Sequence, residues 1–348
     1  MGGNAVPNCK RISKDEYLDI RDGFVLPLLK QNYKQAQDIP AYFTKSDFGD
    51  MDTLVDCDNS TISLYDFAKD VLNSPFVSKN GDCVSCDIRG FQVDLIKTNS
   101  RLFEATKTYF SFNDLGNLMG RVAHKLGFKY GHEGLCVPIR GENDHILGKV
   151  EVSIVPEKIF KFLGYDYNRF KQGFNTLENV FEFAATTPYF NADIFSFENL
   201  NHINRTRNRK RASYCGFLDW VKDKKVDSFD FSGQEAIFFE RAVNEFPESN
   251  INDKIKEFND EITRQNLYKS KFSGALVIEL TGIQGKELGS IIKNLENSKG
   301  GRANWIDWVI ESSVENIKNA IFENILPNPI LSKESNLKSV SSTYEKET

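Results

Sequence analysis

The sequence predicts an α+β protein, with a mixed sheet and packed helices over residues 1–155 and an all-α part over residues 156–328. Short apolar runs of strand length alternate with amphipathic helical patterns before residue 156. After it, helical segments with aromatic faces follow one another, and most of the 28 phenylalanines lie where they would pack those helices together. Residues 329–348 are rich in Ser, Lys and Glu and are predicted to form a disordered tail.

The first part opens with a helix. Ser13 and Glu16 have the spacing of a capping box, which predicts that an amphipathic helix starts here and runs to about residue 31. Apolar alternation and turn residues give the other elements. They are strands near 39–44, 51–56, 87–97 and 147–155, and helices near 60–72 and 113–126, the last capped by Asn113 or Asp114.

The second part is predicted to consist of helices only. Apolar and aromatic residues recur there with helical spacing. The predicted helices are 157–163, 176–184, 213–222, 233–246, 251–268, 285–296 and 305–325.

Bulk composition narrows the functional classes. The net charge of −5 argues against a protein built mainly to coat nucleic acid. No apolar run approaches the roughly twenty residues needed to cross a bilayer, and no basic and then apolar stretch at the N-terminus indicates secretion. An intracellular protein without a membrane partner is expected.

Six cysteines fit that compartment as reduced thiols. Cys83 and Cys86 form a lone CxxC pair, and the other cysteines supply no second pair with zinc-ligand spacing. A zinc site that adds Cys57 or Cys136 is one interpretation. A hairpin turn that begins at Asn80 and leads into the next strand is the favoured one.

Asp50 and Asp52 are the most informative residues. They lie one residue apart on a predicted strand, so both side chains point to the same face. Neighbouring carboxylates repel each other unless a cation lies between them, and such hard oxygen ligands suit Mg²⁺ or Mn²⁺. The pair predicts a divalent-metal site.

Asp94 is a third carboxylate, on another short apolar strand about forty residues on. Three aspartates on neighbouring strands could hold two metal ions. Such a pair serves phosphoryl transfer because it lowers the pKa of the attacking hydroxyl and stabilises the charge on the departing pyrophosphate.

Gly49-Asp50-Met51-Asp52 before an apolar run, with Val93-Asp94-Leu95 on a later strand, resembles the nucleotidyltransferase superfamily of DNA polymerase beta. That superfamily includes CCA-adding enzymes, poly(A) polymerases and second-messenger synthases. The resemblance implies that Asp50 and Asp52 bind both metals and that Asp94 activates the incoming hydroxyl. It also implies an NTP substrate, with Gly49 in the nucleotide site.

The family's Gly-Gly or Gly-Ser pair, about ten residues before the first Asp, is missing. Two alternatives remain for holding the triphosphate. Lys45 and Ser46 could do so in a shortened turn, or the N-terminal Gly2-Gly3 could pack back against the strand. Arg121 and Lys125, four residues apart on the 113–126 helix, are further candidates for phosphate contacts, although ordinary surface exposure explains them equally well.

A basic run follows in the helical part. Arg205, Arg207, Arg209, Lys210 and Arg211 place five cations within seven residues. The run could bind the phosphates of RNA, DNA or the triphosphate, or it could be a solvated helix face. The nearby aromatics could stack on bases, but their three-residue spacing is more typical of a buried helix side; they are Tyr214, Phe217 and Trp220.

A second, shorter resemblance covers about eighteen residues from Phe272. Gly282-x-x-Gly285 opens a helix after an apolar helix, as in CCA-adding enzymes. Free amides at such a helix start favour an anion such as an RNA phosphate, and Lys286 would add positive charge. A plain helix connection is the alternative.

Three functional classes follow. The favoured one is a nucleotidyltransferase that uses two Mg²⁺ or Mn²⁺ ions to add nucleotides to the 3′ end of an RNA. The second acts on a protein or makes a small nucleotide product. The third is an interaction protein that keeps the fold without catalysis.

Overall fold

A computed structural model of the chain describes residues 5–222, 224 and 228–324. The chain forms two compact units, Met1–Lys254 and Ile255 onward. The domain boundary that the sequence suggests at residue 155, between the mixed-sheet part and the all-α part, stays a prediction. Gly2-Gly3 and the predicted tail 329–348 lie outside the described residues.

The first unit is organised around a five-stranded mixed sheet. Its strand order is β2-β4-β7-β6-β5, in which β4 and β7 are parallel and the other neighbours antiparallel. Smaller sheets pair β1 with β3 and β10-β9-β8. The strands are β1 Ile12–Ser13, β2 Gln35–Asp38, β3 Asp47–Phe48, β4 Asp50–Asp56, β5 Val77–Asn80, β6 Cys83–Ile88, β7 Phe91–Thr98, β8 Lys129–Gly131, β9 Gly134–Arg140 and β10 Ile146–Ser153.

Helices follow and cover these strands. The helices of the first unit are α1 Lys14–Ile20, α2 Leu26–Asn32, α3 Leu64–Asp66, α4 Phe103–Phe110, α5 Leu115–Lys125, α6 Pro156–Phe162, α7 Tyr167–Lys171, α8 Leu177–Ala184, α9 His202–Arg209, α10 Ala212–Lys222 and α11 Gln234–Glu245. The boundary between the units lies within α12, Ile251–Lys271. None of the helices among the described residues is long and apolar enough to cross a membrane.

Side-chain alternation gives the central sheet two different faces. Met51 and Val55 on β4, with Val93 on β7, lie in one buried apolar cluster with residues of α1 and α2 such as Tyr17 and Leu29. Because successive strand side chains alternate, the residues between them point to the opposite face. The acidic residues of β4 and β7 therefore face away from α1 and α2.

Over its described residues, 255–324, the second unit is helical only, which confirms the predicted fold class of an α+β part followed by an all-α part. Its helices after α12 are α13 Gly274–Thr281, α14 Gly285–Ser298, α15 Arg302–Glu311 and α16 Val314–Glu323. Phe272, Val277, Leu295 and Trp305 lie in its buried core. The turn between α13 and α14 has glycines with positive φ at both ends, as the Gly-x-x-Gly spacing predicted.

Two predicted strands are wrong in their bounds. The strand expected at 39–44 lies upstream as β2, and residues 39–46 form a loop that contains Pro40, which has no N–H for a strand ladder. The strand expected at 87–97 is divided into β6 and β7 by a tight hairpin. Arg89 and Gly90 both adopt positive φ there, 57° and 79°.

Helix bounds show smaller differences. The helix predicted at 14–31 is confirmed together with its Ser13 and Glu16 capping box, although a π-helical stretch, Arg21–Val25, separates α1 from α2. The helix predicted at 60–72 begins only at Leu64, capped by Ser63. The one predicted at 305–325 is two helices, because Ser313 caps a new start after α15.

Candidate active site

The three aspartates lie on the two parallel strands at the centre of the sheet. β4 and β7 are paired so that Asp52 lies opposite Asp94 and Asp50 opposite Gln92. Neighbouring residues in register share a face, as do residues two apart on one strand. All three carboxylates therefore lie on the face turned away from α1 and α2, which confirms the predicted shared face of Asp50 and Asp52.

Asp94 is held in place by Gln92, which the sequence analysis did not single out. Asp94 is buried, and Gln92 Nε2 donates to its Oδ1 and Oδ2 at 3.0 and 2.9 Å. Gln92 Oε1 in turn accepts from the backbone N–H groups of Ala5 and Val6 at 2.9 and 3.1 Å. The segment after Gly2-Gly3 thus reaches the acidic strand. The spacing of Gln92 two residues before Asp94 was the available signal.

Asp52 and Asp94 both have raised pKa values. Asp52 keeps an exposed surface, but protein displaces much of the water around it, and this desolvation, followed by the charges of Asp50 and Asp94, raises its pKa to about 7. Burial raises the pKa of Asp94, partly offset by hydrogen bonds from Ser85 and Gln92. The site therefore stores charge repulsion that a bound cation would relieve.

A cleft of about 640 Å³ opens over Asp50 and Asp52. It lies within the first unit, between the acidic edge of β4, the loop after β2 and the first residues of α8 and α10. Its volume is in the range of pockets that hold small organic ligands. The lining residues are Arg11, Ile39, Pro40, Ala41, Tyr42, Lys45, Asp47, Gly49, Asp50, Asp52, Ile96, Phe110, Asn113, Leu177, Arg211, Ala212 and Ser213.

The loop after β2 is fixed to the segment before α8. Phe43 N–H donates to the Phe174 carbonyl at 2.8 Å, and both the N–H and the hydroxyl of Thr44 donate to the Asn175 carbonyl, at 2.9 and 2.7 Å. These bonds join distant parts of the chain, since Thr44 and Asn175 are 131 positions apart. They position the next residue, Lys45, on the wall of the cleft.

Lys45 is a partly buried cation beside the acidic pair. Its Nζ lies 4.3 Å from the centre of the Phe48 ring. Loss of water lowers its pKa, although the charges of Asp50 and Asp52 act in the opposite direction. A further anion in the cleft would favour the charged ammonium.

Arg211 supplies a second cation to the same cleft. Its guanidinium Nη1 donates to Asp114, and the Ser213 hydroxyl donates to the other oxygen of that carboxylate. Asp114 occupies the N-cap position of α5 as predicted, but its side chain does not cap that helix. The carboxylate holds Arg211 at the cleft instead.

The fit to a metal ion is partial. Among residues 5–222, 224 and 228–324, no group of three or more His, Cys, Asp and Glu side chains has the arrangement of a metal site. Mg²⁺ in phosphate-handling sites is usually bound by one or two carboxylates, waters and the substrate's own phosphates. Asp50 and Asp52 fit that chemistry, with Asp94 beside them.

Only some of the other candidates for nucleotide binding line the cleft. Gly49 is buried and lines the cleft, whereas Ser46 is exposed in the loop. Arg121 is buried away from the cleft lining, and its guanidinium donates to the carbonyls of Ile194 and Asn199. Lys125 lines a separate cavity of about 420 Å³. The structure brings Gly49 and Lys45 to the acidic pair, but not Arg121 or Lys125.

The basic run is divided among several contacts. Arg205 donates to the Leu200 carbonyl at 2.9 Å, and the Arg209 guanidinium lies 5.5 Å from the centre of the Phe197 ring. Arg207 and Lys210 are exposed. Only Arg211 of this run lines the cleft. Lys286 is exposed on α14 in the second unit.

The aromatic residues after the basic run lie on the buried side of a helix, which was the favoured interpretation. Tyr214 and Phe217 are completely buried on α10, so they form core contacts. Trp220 stacks on Phe217, and its Nε1 donates to Glu178 at 3.1 Å. The three-residue spacing marks the buried side of the helix, so base stacking is not supported at Tyr214 or Phe217.

The six cysteines are free thiols. Cys83 and Cys86 lie on β6, and the turn before that strand carries a positive φ at Gly81. The hairpin interpretation of this segment is therefore confirmed.

Comparison of the chain with models of known protein families found no match, and comparison with curated protein sequences found none either. The geometry of the cleft is therefore the basis for any assignment of function.

Proposed function

We propose that this protein is a metal-dependent nucleotidyltransferase with a fold like that of DNA polymerase beta relatives. It transfers a nucleoside monophosphate from an NTP to a hydroxyl, that of an RNA 3′ end, and releases pyrophosphate. The observation that carries the proposal is the parallel register of β4 and β7, which sets Asp52 beside Asp94 on the face that bears Asp50.

Asp50 and Asp52 would hold the divalent ions, with Asp94 sharing one of them. Two bound Mg²⁺ or Mn²⁺ ions supply activation of the attacking hydroxyl and stabilisation of the departing pyrophosphate. Lys45 is suited to binding the triphosphate, since it lies on the same wall as Asp50 and its ammonium gains from an added anion. The raised pKa of Asp94 suits acceptance of a proton from the hydroxyl.

A second candidate shares the chemistry but not the acceptor: a protein or a small molecule would receive the nucleotide. One observation favours it. Arg205 and Arg209 of the basic run make contacts within the protein, which leaves fewer cations for an RNA backbone. Both candidates require an NTP pool, so both imply a location inside the cell.

The experiment that tests the proposal is incubation of the full chain with each α-labelled NTP and Mg²⁺ or Mn²⁺, with and without total cellular RNA. Label in RNA, absent for Asp52→Asn, supports terminal transfer and identifies the base. Label in protein or in a small product without RNA supports the second candidate. No label under any condition, with folded protein, contradicts both and leaves a non-catalytic role.

A further inference from the structure

The nucleotidyltransferases that this chain resembles have a glycine pair before the first aspartate. This cleft lacks that pair, so its phosphate-binding group has to come from elsewhere. Residues that line the cleft supply three cations: Arg11, Lys45 and Arg211. Arg11 is paired with Asp47, and both side chains are about half exposed at the rim. Lys45 and Arg211 are the two less exposed cations of the cleft lining.

Arg211 is the better fixed of the two. Its partner Asp114 is buried, with 7% of its side chain exposed, whereas 35% of the Arg211 side chain is exposed. A buried carboxylate that also accepts from Ser213 has little freedom to move. A guanidinium has five N–H donors, so Arg211 can bind Asp114 and still donate to a ligand in the cleft.

Arg211 lines the same cleft as Asp50 and Asp52. The Arg211 carbonyl accepts from Cys215 N–H at 3.0 Å, which places Arg211 at the N-cap of α10. Ala212 and Ser213, in the first turn of α10, line the cleft beside it. A guanidinium and a helix start at one position both favour an anion.

We infer that Arg211, positioned by Asp114 and Ser213, binds the terminal phosphates of the nucleoside triphosphate donor. The phosphate site then lies at the start of α10 instead of at a glycine turn ahead of Asp50. Asp114 is a positioning residue that acts through Arg211. The identity of the donor rests on the proposed function, whereas the anion site itself can be tested without it.

The test measures binding of inorganic tripolyphosphate to the full chain by titration calorimetry in the presence of Mg²⁺. Arg211→Gln should weaken binding by about 10- to 100-fold, the value of a hydrogen bond between charged groups. Arg211→Lys should recover part of that loss, because it restores the charge without the planar fork. Unchanged affinity in Arg211→Gln would overturn the inference.

A double-mutant cycle tests the role of Asp114. Asp114→Asn should weaken binding by about 10-fold, and Asp114→Asn combined with Arg211→Gln should bind no more weakly than Arg211→Gln alone. Additive losses would show that Asp114 does not act through Arg211. If Asp114→Asn does not fold, Ser213→Ala takes its place in the cycle. Glu151→Gln, which breaks an ion pair with Arg101 outside the cleft lining, is the matched control and should bind like the wild type.

The labelled-NTP assay separates the two proposals. Transfer by the wild type together with unchanged tripolyphosphate affinity in Arg211→Gln overturns the inference and leaves the function standing. Loss of affinity in Arg211→Gln, with no transfer by the wild type, supports the anion site and contradicts the transferase.

Discussion

The acidic strands β4 and β7 and the basic run 205–211 both concentrate charge of one sign, but they distribute it differently over the structure. On β4 and β7 three carboxylates lie on one face beside one cleft. Along α9 and its C-terminal end, the five cations are divided between contacts within the protein, solvent and the cleft, and one of them lines the cleft. The difference lies in the period of the element. A strand returns to the same face every second residue, whereas successive helical residues turn by about 100°.

The comparison also shows how a charge is kept in place. Carboxylates of the acidic strands are fixed by the sheet ladder and by neighbours such as Gln92. Cations of the basic run depend on individual long side chains, and Arg211 is fixed only because a buried Asp114 binds it. Five predictions test this contrast.

Asp52→Asn should have the largest effect. If the acidic strands form the metal site, transfer should fall on the order of 10³-fold, since the variant removes a charged ligand at the point of phosphoryl transfer. The labelled-NTP assay measures it, and Asp58→Asn, an exposed aspartate just after β4, is the control. Full activity of the Asp52→Asn protein would show that the carboxylates of β4 and β7 do not form the metal site.

Gln92→Leu should reduce transfer by about 10- to 100-fold, the usual loss when a group that orients a ligand or a catalytic carboxylate is removed. The variant leaves Asp94 without its donor and the Ala5 and Val6 amides without their acceptor. Gln92→Glu keeps the acceptor for the two amides, loses the donor and adds a negative charge beside Asp94. Loss of activity in Gln92→Glu as well, with both proteins folded, assigns the effect to the surroundings of Asp94 and not to the Ala5 and Val6 amides. Normal activity in Gln92→Leu would mean that Asp94 needs no support.

Arg121→Met should affect stability instead of activity. The guanidinium is buried and donates to two backbone carbonyls, so its removal should lower the free energy of unfolding by about 2–3 kcal/mol. Denaturant unfolding measures this loss, and KM for the NTP should stay unchanged. A raised KM without loss of stability would support the earlier hypothesis that Arg121 contacts the nucleotide.

The pH dependence of stability should report the acidic repulsion. The pKa of Asp52 is raised from 3.8 to about 7, so the folded state binds this proton more tightly than the unfolded state does. The stabilisation is complete below 3.8 and is lost as the pH rises to about 7. Without metal, Tm of the wild type should therefore fall across this window relative to Asp52→Asn, and Mg²⁺ should reverse the fall. A Tm that rises across the window relative to the variant would contradict the assignment.

The smallest effect should come from the basic run. Replacement of Arg207, Arg209 and Lys210 by Ala should reduce the slope of log affinity against log salt for single-stranded RNA by about 1–2, from up to three lost phosphate contacts. Replacement of three exposed lysines elsewhere, Lys69, Lys129 and Lys161, removes the same net charge and should leave the slope unchanged. An unchanged slope in the first variant would show that these cations form a solvated face of α9 and do not bind RNA phosphates.

Much of the local structure could be predicted because it depends on nearby residues. The Ser13 and Glu16 capping box, the strand that carries Asp50 and Asp52, and the Gly282 and Gly285 turn all rest on interactions within a few positions. The sequence-based prediction of strands was wrong where a turn lies inside a continuous apolar run. Arg89 and Gly90 reverse the chain inside what the pattern predicts as one strand.

The sequence by itself determined the class of fold and the shared face of Asp50 and Asp52, because side-chain alternation along a strand is a local property. Tertiary structure alone decided that Asp94 pairs with Asp52 and that Arg211 joins the same cleft while Arg121 is buried elsewhere. These outcomes depend on contacts between distant parts of the chain. The Asp114 and Arg211 pair spans 97 positions, and it forms because the fold brings the starts of α5 and α10 together, which no local pattern encodes.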